Sequence, residues 1–231
     1  MSQTDWEDCF LLHQRSYGET SIIAEVFCRN IGKISIIARG AKNPKSKFFG
    51  YLVPFHKLKI TFSGRSELKT LINIERQFTN SQSSLSKTSY SLLYINELLI
   101  KLLPKNASQE ELFKLYESFL EKVFMKENLE LTLRKFELDL LDLLGYGLDY
   151  DRDTELNELI DKNSFYSYVP AKGFKKSSRH ELKGEDIINI RDRNLKLVEK
   201  NILKKITNKA ISVCMDGDNL KSRKIFKRLS S

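Results

Sequence analysis

The hydrophobic period of this chain changes once, near residue 80, and that change restricts the folds open to it. Before it, short runs rich in Ile, Val and Phe are punctuated by Gly and Asn, as strands joined by tight turns are. The runs are Cys9 to Arg15, Ser21 to Cys28, Lys33 to Ala38, Leu52 to Gly64 and Lys69 to Arg76. Turns fall at Tyr17-Gly18-Glu19 and at Asn30-Ile31-Gly32. From Lys57 to Phe62 polar and apolar residues alternate, which gives that strand one dry face and one wet, basic face. Five short strands in about eighty residues predict a small OB-like barrel.

After residue 80 the period becomes helical. Gln82 to Ser89 is a polar connector. Leu92, Ile95, Leu99 and Leu102 then recur at helical spacing up to Pro104. Ser108 and Glu111 have the spacing of a capping box, and Leu112, Leu115, Phe119 and Val123 form an apolar stripe behind it. Leu131 to Leu144 is apolar on most sides, which predicts a central, mostly buried helix ended by Gly145. Phe165 to Pro170 reads as a short extended piece and Glu185 to Arg191 as a short helix. Leu195, Val198, Ile202, Ile206, Ala210 and Val213 predict one long final helix, with a shorter one from Asn219. The fold class is therefore α+β: a five-stranded barrel over residues 1–80, then a mostly α-helical domain over residues 81–231.

Charge separates the same regions. The net +9 is the balance of +5 over residues 1–80, −6 over 81–171 and +10 over 172–231. Basic blocks on a folded chain suit a polyanion, although solubility alone accounts for net charge equally well. The strongest cluster runs from Arg29 to Arg76, with eleven basic residues against two acidic ones. Its centre is the linker RGAKNPKSKFFG, where Arg39, Lys42, Lys45 and Lys47 precede Phe48, Phe49 and Tyr51. Cations grip phosphates and aromatic faces stack on unpaired bases. For Phe48 and Phe49 the expectation is nonetheless a core role, since an apolar pair after a loop is usually buried. A second cationic face, Arg193, Lys196, Lys200 and Lys204, lies opposite the apolar stripe of the final helix. Ile225, Phe226 and Leu229 of the basic tail are expected to dock on the body.

Catalytic patterns are sparse. His13, His56 and His180 stand far apart without motif company. Asp149, Asp151 and Asp153 open like a calcium loop, but Thr154 and Ile160 occupy its two most demanding positions. The segment around Gly32-Lys33 is no P-loop, and Gly145-Tyr146-Gly147 follows a helix rather than a strand. No apolar run approaches the roughly 18 residues of a membrane helix. The opening MSQTDWEDCF lacks the apolar segment of a signal peptide. Cys9, Cys28 and Cys214 are too scattered for a disulfide framework, which favours a reducing, cytoplasmic setting.

Seven segments, in order, carry a family resemblance: FLLHQRSYGETS, ARGAKNPKS, GRSELKTL, LYINELL, LRKFELDLLDLLGYG, YVPAKGF and LKSRKIF. Together they span nearly the whole chain, which resembles the RecO family of bacterial recombination mediators. The resemblance implies an OB domain followed by a helical domain, and a non-enzymatic, cytoplasmic, nucleoid-associated protein. It implies binding of single- and double-stranded DNA, annealing of complementary strands, and help, together with RecR, in loading RecA on DNA coated by the single-strand-binding protein SSB. Arg39, Lys42, Lys45, Lys47, Arg65 and Lys69 are then the candidate DNA contacts. The acidic, Phe-ended tail of SSB is expected on the LRKF helix, at Leu131, Arg134, Lys135 and Leu138. Many members carry a four-cysteine zinc site after the LGY segment. Here that stretch has no cysteine, so no metal and no cofactor are expected. Two other readings are a metal-dependent nucleic-acid hydrolase using Asp149, Asp151 and Asp153, and a scaffold that recognises acidic protein tails.

Overall fold

The structure, a computed structural model, describes residues 4–77, 89–215, 220 and 222. The chain forms two compact units, Met1–Leu120 with Leu220–Ser231, and Glu121–Asn219. The expected helix from Asn219 and the docking of Ile225, Phe226 and Leu229 fall outside the described residues, except that Ser222 is helical.

In the first unit, β1 (Glu7–Tyr17), β2 (Ser21–Cys28), β3 (Gly32–Ala38), β4 (Lys57–Ser63) and β5 (Leu68–Arg76) close a barrel in the order β1-β2-β3-β5-β4. Neighbours are antiparallel except β3 and β5, which run parallel. Cys9, Leu11, Ala24, Val26, Cys28, Ile34 and Ile36 are among the residues that fill the interior. Ala41, Phe48 and Leu52 of the β3–β4 linker join that core.

The outer faces of β1 and β2 are also apolar, which is why their sequences run nearly without polar interruption. Phe10 and Phe27 point outward and meet Phe113, with ring centroids 5.2 and 5.5 Å away. Phe113 belongs to α2 (Glu110–Phe124), and α1 (Ser89–Leu102) precedes it. Each such aromatic pair contributes roughly 0.5–1.5 kcal/mol beyond area burial. A bulge between Leu11 and His13 frees two carbonyls of β1. Asn96 of α1, only 2% exposed, donates to both, Leu11 O at 3.3 Å and Leu12 O at 3.0 Å, while the Tyr116 hydroxyl donates to its Oδ1. The compact units therefore do not follow the change of period at residue 80, because Phe10 and Phe27 need the helices as cover.

Gly32 shows how close that cover is. Its φ is +82°, and a Cβ there would lie 1.9 Å from Ala107 O. The Lys33 ammonium is buried on Ile100 O, near the C-terminus of α1, where a cation is favoured. Burial lowers its pKa.

In the second unit, α3 (Leu129–Leu143) packs on α5 (Lys200–Cys214), and β6 (Phe165–Val169) lies between β7 (Gly173–Lys176) and β8 (Leu182–Lys183). Asn128 caps α3 by accepting from Leu131 N. Gly145, at φ +80°, ends it: Tyr146 N bonds Leu141 O and Gly145 N bonds Asp142 O, a Schellman closure. A short helix, α4 (Gly184–Arg191), follows β8.

The single long helix expected from Leu195 is broken. Leu195–Leu197 is a 3-10 turn, Val198 and Glu199 are extended, and α5 starts only at Lys200. Leu195 and Val198 are both buried, so the extended step keeps both in the core. Arg193 lies before α5 in a left-handed conformation, φ +58°, and is therefore not part of a cationic helix face. Its guanidinium binds Asp139 at 2.8 Å, and also Asp142, and lies 5.9 Å from the Tyr150 ring.

Candidate nucleic-acid interface

The cations of the barrel divide by what holds them. Arg29 and Lys57 are structural: Lys57 lies 3.1 Å from Asp8 and 2.6 Å from Glu117, and Arg29 lies 3.3 Å from Glu117. Burial opposes the Lys57 charge, yet the Glu117 and Asp8 carboxylates outweigh it and raise the pKa. Lys33 is buried. None of these three presents charge to a ligand.

Three of the six sequence candidates, Lys47 exposed and Lys42 and Lys69 half-buried, are oriented by neutral oxygens. Lys42 donates to Gly18 O at 2.9 Å, with its backbone N–H on Thr20 O. Lys47 donates to Asn73 Oδ1 at 3.1 Å and lies 5.3 Å from the Phe48 ring centroid. Lys69, half-buried, donates to Gly64 O at 3.3 Å. No carboxylate pairs with any of the three among the described residues. The other three, Arg39, Lys45 and Arg65, are exposed and their side chains make no ion pair or hydrogen bond among the described residues. The linker that carries four of the six is tied at one end to the β1–β2 turn through Lys42 and along its length to β5 through Lys47.

The aromatic pair splits. Phe48 is buried, as expected, but Phe49 is 50% exposed, so the expected core role holds only for its neighbour. Ser46 sets this phase: its hydroxyl accepts from Phe48 N and its carbonyl from Phe49 N, which turns one ring in and the next out. Tyr51 and Tyr17 are also exposed. Tyr17, at the β1–β2 turn, was not among the sequence candidates; its signal was an aromatic directly before a turn glycine beside Arg15.

On the second unit the four tail-binding candidates do not share a surface. Arg134 and Leu138 are buried, Leu131 is half-buried, and Lys135 is half-exposed. Arg134 lies 2.7 Å from the fully buried Glu137 and donates to Thr207 Oγ1 at 2.8 Å. Lys135 pairs with Asp139 at 2.8 Å. An i, i+3 ion pair inside a helix contact explains the LRKF segment better than an open cationic surface. A shallow cleft between the small sheet and α5 is lined by Tyr168, Leu182, Ile202 and Ile206, with Lys209 and a Lys205–Glu181 pair, 3.7 Å apart, at its edge.

The aspartates at 149, 151 and 153 have structural work. Asp149 Oδ1 accepts from the N–H groups of Asp151 and Arg152, and Asp151 binds Arg191 at 2.9 Å. Asp153, 4% exposed, accepts from Glu155 N, Leu156 N and Lys176 N. Burial by itself would raise its pKa, but those three amides hold it below the ordinary aspartate value. Among the described residues no three His, Cys, Asp or Glu side chains are grouped to hold a metal ion. No helix among them is long and apolar enough to cross a membrane.

Comparison with known proteins gives the same answer over both halves. A family model described as "Recombination protein O N terminal" matches residues 1–78, and one described as "Recombination protein O C terminal" matches residues 83–224. The DNA repair protein RecO of Aliivibrio salmonicida is 35% identical over 226 residues, covering 94% of this chain and 93% of that one. That of Vibrio vulnificus is 35% identical over 225 residues, covering 94% and 91%. That of Vibrio parahaemolyticus is 34% identical over 230 residues, covering 98% and 94%. With a closed OB-like barrel leading into helices, and both family models matched in order, the chain belongs to the RecO family.

Proposed function

We propose that this protein is a DNA-binding recombination mediator. Family membership supports a role in DNA repair and recombination. The finer reading is that it binds single- and double-stranded DNA, anneals complementary strands, and with RecR helps load RecA on SSB-coated strands. The observation that carries it is the set of unneutralised cations on the barrel connectors, Arg39, Lys45 and Arg65, backed by Lys42, Lys47 and Lys69 on neutral oxygens. Cations without carboxylate partners are what a phosphate backbone exchanges for its counterions. The hydrolase reading has less support, since Asp149, Asp151 and Asp153 are spent on backbone amides and Arg191. For the acidic tail of SSB, the cleft edged by Lys209 offers apolar floor and exposed charge together, which Arg134 and Leu138 do not; Lys205 beside it already faces Glu181.

Annealing of SSB-coated complementary strands tests this reading. The protein should accelerate it, and Lys209→Glu should remove the acceleration on coated strands while sparing naked ones. Replacing Arg39, Lys45 and Arg65 together by Ala should lower the slope of log affinity against log salt by about 2 for single strands, at about 0.7 per lost phosphate contact. No acceleration, or an unchanged slope, would overturn it.

A further inference from the structure

Phosphate binding leaves one feature of the barrel unused. β3 pairs with β5 only from Ser35 to Ile37 against Leu68 to Thr70, and β5 runs on to Arg76. The linker lies beside this continuation: Lys47 reaches Asn73, and further along Phe49, Gly50, Tyr51, Glu75 and Arg76 line an open groove of about 470 Å³. Phe49 and Tyr51 are 50% and 41% exposed. Gly50 between them has φ +74° and open space around it, so the reversal that presents both rings is built on a residue that tolerates it.

The groove also holds a carboxylate. Glu75 is exposed and makes no ion pair or hydrogen bond among the described residues. Among the described residues that line this groove Glu75 is the one acid, and its charge repels phosphate. Its use is therefore to be sought in the part of the ligand that is not phosphate, and base edges are the part that carries sequence information.

We propose that this groove holds an unpaired nucleobase bearing an exocyclic amino group. The inference rests on the single-strand binding proposed above. Phe49 and Tyr51 supply faces for stacking, which every base accepts. Glu75 supplies an acceptor for the amino group, as carboxylates do for cytosine N4. Guanine, cytosine and adenine all carry such a donor. Thymine does not, and the carbonyls flanking its N3–H face a carboxylate with like charge. A paired base has its amino group engaged and its faces stacked, so it does not fit. Pairing with a complementary strand then competes directly with the groove, and a base is given up as it anneals.

Equal-length homopolymers of deoxycytidine and thymidine, measured by fluorescence anisotropy at one salt and neutral pH, test this. The cytidine strand should bind about five-fold more tightly, a factor at the low end for one specific base contact. Glu75→Gln, which offers both donor and acceptor, should bring that ratio close to one. Phe49→Ala with Tyr51→Ala should weaken both homopolymers about ten-fold and leave duplex affinity unchanged. All three side chains are exposed, and Trp6 fluorescence checks that the barrel of each variant is folded. A ratio near one in the unaltered protein, a ratio unmoved by Glu75→Gln, or equal weakening of single strand and duplex would overturn the groove. Failure of every strand and duplex to bind would instead overturn the DNA-binding reading beneath it.

Discussion

Arg134 gives the sharpest test of the second unit, because sequence and structure assign it opposite roles. As a tail-binding cation it should be dispensable for folding. In the structure its guanidinium lies between Glu137, 0% exposed on its side chain, and Thr207, also 0% exposed, and so joins α3 to α5. Removing one member of a buried ion pair leaves a charge without its counterion, at about 3–5 kcal/mol. A domain has roughly 5–15 kcal/mol in all, so Arg134→Ala takes about a fifth or more of it. With a urea slope of about 2 kcal/mol/M, the midpoint should fall by about 1.5–2.5 M. Far-UV circular dichroism is the suitable probe, since the single tryptophan, Trp6, reports the barrel. The control is Lys135→Ala: its pair with Asp139 is partly in water and should cost less than about 1 kcal/mol. Replacing the group together, Arg134→Met with Glu137→Leu and Thr207→Val, should recover most of the loss, because an apolar isostere of a buried pair is often neutral. If Arg134→Ala unfolds within about 1 kcal/mol of the parent, or Lys135→Ala costs as much, the burial argument is wrong. The outcome also governs how tail binding is read: a charge reversal at Arg134 that abolishes binding would report a damaged unit, not a lost contact.

Two further outcomes follow from the geometry. Gly32→Ala should destabilise the barrel by about 2–5 kcal/mol in Trp6-monitored urea unfolding, since it adds overpacking on Ala107 O to a left-handed backbone; Gly50→Ala, left-handed but in open space, should cost only about 1–2 kcal/mol. Asp153, whose pKa is lowered in the fold, contributes stability that is present above the unfolded value of about 3.9 and is lost as pH falls through the folded value, so Asp153→Asn should flatten the acid limb of second-unit stability below about pH 4.

How much of this could be read from the chain depends on how local each cause is. The strands were legible because their signals are local: the Gly and Asn turns mark the ends of β2 and β3, and an alternating segment marks β4. The end of α3 was legible for the same reason, since a glycine at that place permits the closure seen at Gly145. The basic linker was legible as a cluster, but not the fate of each member. Phe48 and Phe49 are identical in sequence terms and opposite in space, because the hydroxyl of Ser46 sets the phase of the turn. The break before α5 was hidden because Leu195, Val198 and Ile202 satisfy helical spacing, while two of them are buried through an extended step. The surroundings of Arg134 were hidden for a deeper reason. A charged residue on an apolar helix looks like a surface interruption unless its partners are visible, and Thr207 is 73 residues away. The same reasoning runs in reverse for Glu75. That it has no partner among the described residues only matters once β5 and the linker are seen to share a groove, so the candidate base contact could be found only after the candidate phosphate contacts were placed.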